Sequence, residues 1–273
     1  MSGAPRPSVR TAVDAARAEG RAALVGYLPA GFPTVAGSQA ALRTMVEAGC
    51  DAIEVGLPYT DPVMDGPTIQ AAAQRALEQG TRVADVLATV EAVASTGTPT
   101  VVMTYWNPVE RYGVERFAQG LADAGGAGLI TPDLTPDYAP EWIEAADARD
   151  LDKIFLVSPS STDQRIALTT DACRGFVYAT AVMGVTGART TTSDLAGPLV
   201  ERVRRATEAS GLPVGVGLGV ANGDQAAEVA RYADAVIVGS AFVRTLLDHD
   251  DLDEGLDALR ALTEDLADGV RRG

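Results

Sequence analysis

A short apolar run, a turn rich in Gly, Pro, Asp or Thr, and an amphipathic stretch rich in Ala, Arg and Glu follow one another repeatedly along this chain. The clearest apolar runs are residues 23–28, 52–55, 100–105, 127–130, 154–157, 176–180, 214–217 and 235–238. They are dominated by Val, Ile, Leu and Ala and are mostly continuous rather than alternating. That is the pattern of strands buried on both faces of a parallel sheet. Helical patterns occupy the intervals, among them residues 36–48, 83–96, 114–124, 138–149, 195–209 and 225–232. Two end in a glycine that suits a helix C-terminus and runs directly into the next strand, E-A-G-C-D-A-I-E-V-G at 47–56 and D-A-G-G-A-G-L-I-T at 123–131. The segment A-R-Y-A-D-A-V-I-V-G-S at 230–240 has the same cadence without that glycine.

Eight βα units in 273 residues match the size of a (β/α)₈ TIM barrel. An open doubly wound sheet shares the alternation, but eight strands without a second domain suit closure better. The expected organisation is one α/β barrel domain over residues 1–273, with 1–20 as an N-terminal extension or helix and 250–273 as a C-terminal helix. A hydrophobic fraction of 47% supports a sizeable core and excludes disordered and fibrous classes. No apolar run approaches the roughly 20 residues of a membrane span. The N-terminus lacks the apolar stretch of a secretion signal, so a soluble cytoplasmic protein is expected.

The charge inventory narrows the chemistry. Net charge is -15, which argues against nucleic acid or an anionic membrane as partner. Cys50, Cys173 and a single His make neither a disulfide framework nor a zinc cluster, and no metal site is expected. Lys153 is the only lysine, so any Schiff-base mechanism depends on it, and an anionic ligand must be held by Arg or by backbone N–H groups.

In such a barrel, function is carried where strands end and the βα loops begin. After the second strand comes E-V-G-L-P-Y-T-D-P-V-M-D-G-P-T-I-Q at 54–70. Glu54 lies inside an apolar run, where desolvation raises a carboxyl toward general acid/base use. Asp61 and Asp65 follow in a Pro- and Gly-rich loop. Each carboxylate alone also reads as a solvated strand end or a turn residue; three within twelve residues at the mouth favour chemistry. Late glycines cluster in M-G-V-T-G-A-R-T at 183–190, G-V-G-L-G-V at 215–220 and V-G-S at 238–240. Loops after strands seven and eight, with a helix N-terminus, form a recurrent phosphate site whose backbone donors a Cβ would block.

These motifs resemble the tryptophan synthase alpha subunit family over residues 21–247. The segment at 54–70 is the most specific, supported by G-Y-L-P-A-G-F-P at 26–33, M-T-Y-W-N-P at 103–108 and G-V-T-G-A-R at 184–189. Leu218, where an aromatic is common, and Thr135, where a proline is common, depart from the family pattern. The resemblance implies retro-aldol cleavage of indole-3-glycerol phosphate to indole and glyceraldehyde 3-phosphate without a metal or cofactor in this chain. It implies Glu54 as acid/base and Asp65 as the carboxylate at the indole N–H. By the same resemblance Gly187, Gly219, Gly239 and Ser240 contact phosphate, Tyr27, Ile69, Tyr105 and Tyr178 line the pocket, and Thr186 meets the aspartate on closure. Pro58, Asp61, Asn107 and Asp133 fall on loops that face a PLP-containing beta subunit in an expected α2β2 assembly. A stand-alone lyase, a Lys153 aldolase and a non-enzymatic phosphate-binding scaffold are the competing readings.

Overall fold

A computed structural model describes residues 8–180, 196–217 and 219–273. The chain runs α1 (Val9–Ala18), β1 (Ala23–Pro29), α2 (Val35–Glu47), β2 (Ala52–Gly56), then two helices, α3 (Pro67–Glu78) and α4 (Val83–Ala94). Strand β3 (Thr100–Met103) is also followed by two, α5 (Trp106–Tyr112) and α6 (Val114–Asp123). Next come β4 (Gly128–Thr131), α7 (Pro140–Asp147), β5 (Asp152–Val157), α8 (Asp163–Ala172) and β6 (Val177–Thr180). The remainder is α9 (Ala196–Ala206), β7 (Val214–Gly217), α10 (Gly223–Ala230), β8 (Ala235–Val238), α11 (Ser240–Leu247) and α12 (Leu252–Arg271).

All eight strands are parallel and β8 pairs with β1, closing a barrel in sequence order. The open-sheet alternative is thereby excluded. The glycines read as helix ends, Gly49 and Gly125, have φ of +120° and +76°, which a side chain would resist. The third apolar run yields a strand only to Met103, because Tyr105 already occupies the N-cap position of α5. The helix expected from residue 138 begins at Pro140, which sits in its first turn, after a 3₁₀ turn at Pro136–Tyr138. Helices α3, α5, α8 and α11 lie outside the stretches named from sequence.

Two apolar layers fill the molecule. The larger lies between the strands' outer faces and the helices. The smaller fills the lumen floor with Ala23, Val25, Val101, Ile130, Ile154, Phe176 and Ile237, onto which α1 presses Val9, Val13 and Ala16. Helix α1 is therefore a plug for the N-terminal end of the barrel.

Three aspartates at the starts of strands fasten that end. Asp51 accepts the Leu24 N–H at 2.8 Å and a two-pronged contact from Arg21 at 2.7 and 2.8 Å. Asp234 accepts the Val214 N–H at 2.9 Å and lies 3.4 Å from Arg17 of α1. Fully buried Asp152 accepts the Val9 N–H at 2.9 Å and the Ser8 hydroxyl at 2.8 and 2.9 Å, while Ser8 caps α1. This explains the shared Asp in the cadences at 47–56 and 230–240: it staples one strand's start to its neighbour. Asp152→Ala leaves the Ser8 hydroxyl and Val9 N–H without their acceptor, and we expect a loss of about 2–4 kcal/mol. A urea midpoint equal to the parent's would show that α1 is held by apolar packing alone.

Candidate active site

The C-terminal end of the lumen is lined differently from its floor. Side chains alternate along a strand, so Tyr27 follows Val25, Glu54 follows Ala52 and Tyr178 follows Phe176 into the interior. Tyr27 and Glu54 are register partners on β1 and β2. Glu54 is 1% exposed, and its Oε1 has no hydrogen-bond partner among the described residues. Burial pushes its carboxyl up to about 8. Burial also raises the phenols of Tyr27 and Tyr178, helped at Tyr27 by the charges of Asp65 and Glu54 and at Tyr178 by that of Glu54.

Two glycines make room for these rings, a role the sequence did not reveal. A Cβ on Gly56, at the end of β2, would collide with the Tyr27 hydroxyl, and one on Gly217, at the end of β7, with that of Tyr178. Ile69, in the first turn of α3, is buried in the outer apolar layer. The rings of Phe176 and Tyr178 meet at a tilt of 39° with centroids 6.1 Å apart, continuing the lumen floor into the site.

Asp65 is half-buried on the loop between β2 and α3. The Tyr105 hydroxyl donates to its Oδ1 at 3.1 Å and accepts the Met64 N–H at 3.0 Å. Gln70 Nε2 donates to the Asp65 carbonyl at 2.8 Å, fastening the loop to α3. Burial raises the Asp65 carboxyl and the Tyr105 hydrogen bond draws it back down. Tyr105, expected as an apolar wall, thus also contributes a polar contact. Its ring lies 5.4 Å from that of Tyr59, whose hydroxyl accepts from Asn107 Nδ2 at 3.0 Å.

On the other side of Tyr27, Gly219 has φ +70°, Gly239 follows β8 as the N-cap of α11, and Ser240 opens α11. Tyr27 leans on this corner, since a Cβ on Gly239 would sit 3.2 Å from its ring. Gly187, Thr186 and Leu218 lie outside the described residues. Among the loop residues expected to face a partner, Asp61, Asn107 and Asp133 are exposed, whereas Pro58 is buried and presents no surface of its own. Thr60 donates its hydroxyl to Asp61, and Asp133 accepts the Trp106 N–H at 2.9 Å, capping α5. Thr135, the departure from the family pattern, is exposed just before the 3₁₀ turn.

Lys153 is the second residue of β5, at the plugged end, and pairs with Asp147. It is therefore out of reach of the carboxylates, and a Schiff-base aldolase is excluded. Among the described residues, no three His, Cys, Asp or Glu side chains are grouped to hold a metal, and no helix is long and apolar enough to cross a membrane.

A family model described as tryptophan synthase alpha chain matches residues 13–271. The tryptophan synthase alpha chain of Salinispora arenicola is 64% identical over 263 residues, covering 96% of this chain and 97% of that one. The Nocardia farcinica alpha chain is 60% identical over 94% and 93% of the two chains. A solved structure of Mycobacterium tuberculosis tryptophan synthase superposes with a TM-score of 0.90 at 57% identity, covering 97% of this chain and 98% of that one. The alpha subunit from Legionella pneumophila gives 0.84 at 30% identity, over 96% and 97%. Likeness this high over nearly all of both sequences is kinship, and the chain belongs to the tryptophan synthase alpha chain family, lyases that cleave indole-3-glycerol phosphate to indole and glyceraldehyde 3-phosphate.

Proposed function

We propose that Glu54 handles both protons of this cleavage and that Asp65 holds the charge the ring develops. The observation that carries the assignment is a carboxyl buried at the lumen mouth and held largely neutral near pH 7. The neutral acid gives its proton to indole C3, placing positive charge on the ring nitrogen. The resulting carboxylate takes the proton of the glycerol hydroxyl. The carbon–carbon bond then breaks, its electrons return to the ring, and a carbonyl forms on the departing triose phosphate. One carboxyl ends as it began, and no electron sink is required, so we assign no cofactor to this chain.

Asp65 accepts the indole N–H as an anion and stabilises the cationic ring. The Tyr105 hydrogen bond favours that anion over the neutral acid and fixes its orientation. Tyr27 and Tyr178 form walls of the ring's pocket and Ile69 backs them. Gly219, Gly239 and Ser240 hold the phosphate end.

We further propose that indole passes to a PLP-containing beta subunit in an α2β2 assembly. Exposed Asp61 and Asp133 lie on the loops after β2 and β4, and exposed Asn107 lies in the first turn of α5 after β3, and these elements are joined. Asp133 holds the start of α5, Asn107 reaches Tyr59, and the neighbouring Tyr105 reaches Asp65. A partner seated there touches the elements that orient Asp65.

Glu54→Gln should retain the fold and lose at least about 100-fold in indole release, since an amide transfers no proton. Retention of more than about a tenth of the activity, a change of only ~1.4 kcal/mol, would remove Glu54 from this role. Because its acid form prevails below about 8 and is lost above it, kcat/KM should fall as pH rises through that value. A flat profile between pH 7 and pH 9, on the order of one unit either side, speaks against the neutral acid.

Asp65→Asn should be as severe. Tyr105→Phe should cost roughly tenfold and move the acidic limb of the kcat profile to higher pH, because the anion loses its donor. An unmoved limb in Tyr105→Phe would make the contact merely structural.

Purified beta subunit should raise the rate of indole formation. A hundredfold rise corresponds to about 2.7 kcal/mol of preference of the partner for the more active conformation. No stimulation by a beta subunit of the same source would make the chain a stand-alone lyase.

A further inference from the structure

The phosphate corner continues into a cavity of about 250 Å³ whose lining includes Gly219, Val220, Ser240, Arg244, Thr245 and His249. It lies beside α11, the helix that Ser240 opens. Arg244 is four residues further along, one turn away on the same face. Side chains on a helix lean toward its N-terminus, so the Arg244 stem runs back toward Ser240. Its Nη2 lies 3.5 Å from the Thr68 hydroxyl, in the first turn of α3 and three residues beyond Asp65.

Charge and position together single out this arginine. The chain carries -15, and its lone lysine is at the opposite end of the barrel. Many described arginines are neutralised by carboxylates, such as Arg21 by Asp51, Arg202 by Asp163 and Arg260 by Glu47. Among the described residues several arginines, Arg43, Arg75, Arg205 and Arg244 among them, have no carboxylate within ion-pair distance, and of these Arg244 is the one that lines the cavity, where Asp248 also lies. Backbone N–H groups and a hydroxyl give a phosphate directional donors but no full positive charge. A full charge beside such a cradle strengthens its hold on a dianion.

We propose that Arg244 is a specificity-determining residue for the substrate's phosphate group. Its guanidinium faces the anion from the cavity side while Thr68 limits its sweep. This inference rests on the phosphate reading of Gly219, Gly239 and Ser240. It adds a preference for the doubly charged phosphate ester over neutral or singly charged analogues, and a steeper dependence of binding on salt than a backbone cradle alone gives.

The test is steady-state kinetics on the purified full chain, with beta subunit present, and inorganic phosphate as the competing anion. Arg244→Gln should raise KM for indole-3-glycerol phosphate and the inhibition constant for phosphate by about tenfold at low salt, with kcat changed less than about twofold. Both increases should shrink in high salt, and Arg244→Lys should recover most of the loss. Arg205→Gln, an exposed arginine on α9, removes the same net charge and should leave KM unchanged. Ser240→Asp separates the proposal from its premise, because a carboxylate suits a helix N-terminus but repels a phosphate bound there. Unchanged phosphate inhibition in Ser240→Asp overturns the phosphate corner itself. Weakened inhibition in Ser240→Asp together with unchanged KM and inhibition in Arg244→Gln overturns the role of Arg244 alone.

Discussion

A closed ring of eight parallel strands encloses a lumen that must be filled, and what fills each end decides the rest of this molecule. At the N-terminal end the filling is apolar: small and branched side chains from the strands, sealed by α1. That helix does not close the barrel through packing alone. Its first N–H and its capping serine meet the buried Asp152 carboxylate, and Arg17 near its last turn reaches Asp234. With the floor anchored, the C-terminal end can carry groups that do not favour folding. The tyrosines there stand in a ring of strand-end glycines, which give up packing volume so that hydroxyls fit inside.

Glu54 is the costly member of that set. A carboxyl taken from water into an apolar wall resists ionisation, and here no hydrogen bond to Oε1 offsets the loss of hydration. Between the ordinary carboxylate range and about 8, the folded chain holds a proton that the unfolded chain has released, so stability declines as pH rises through that window. The same neutrality makes the group an acid near pH 7. Asp65, by contrast, has a phenol donor and partial access to water, and burial raises it with the phenol opposing. Burial lifts both carboxyls of this loop-and-strand unit, but only Asp65 has a donor that opposes the rise, which separates a proton-giving group from one with support for its anion.

How much of this could be read from residues alone follows the range of the interactions involved. Strand runs and helix-ending glycines are local patterns, so the βα cadence led to the barrel, and Glu54 stood out because a charge interrupts an apolar run. The Tyr105 hydroxyl was missed because Asp65 is 40 residues away, and only register and loop path bring them together. Gly56 and Gly217 read as ordinary strand ends for the same reason: each yields space to a ring on a neighbouring strand. Helix α3 was hidden because its start, Gly66-Pro67, reads as a turn although proline suits the first helical position. Arg244 reads as one arginine among 21 in the sequence, and only the fold sets it in the lining of a cavity beside Ser240.

The placement of charge around the mouth also sets an orientation. Strand β1 pairs with β2 on one side and β8 on the other, so Tyr27 stands between Glu54 and Gly239. In the proposed reading, the phosphate end lies toward β8 and α11, where donors and Arg244 collect. The ring lies toward β2 and β3, where Glu54, Asp65 and Tyr105 collect. A substrate turned end for end would place a dianion against two carboxyls and an apolar ring against backbone N–H groups. Both mismatches oppose binding, so orientation follows from electrostatics before any loop closes. The bond to be broken then lies between the anchored ends, over Tyr27 and within reach of one proton-bearing group.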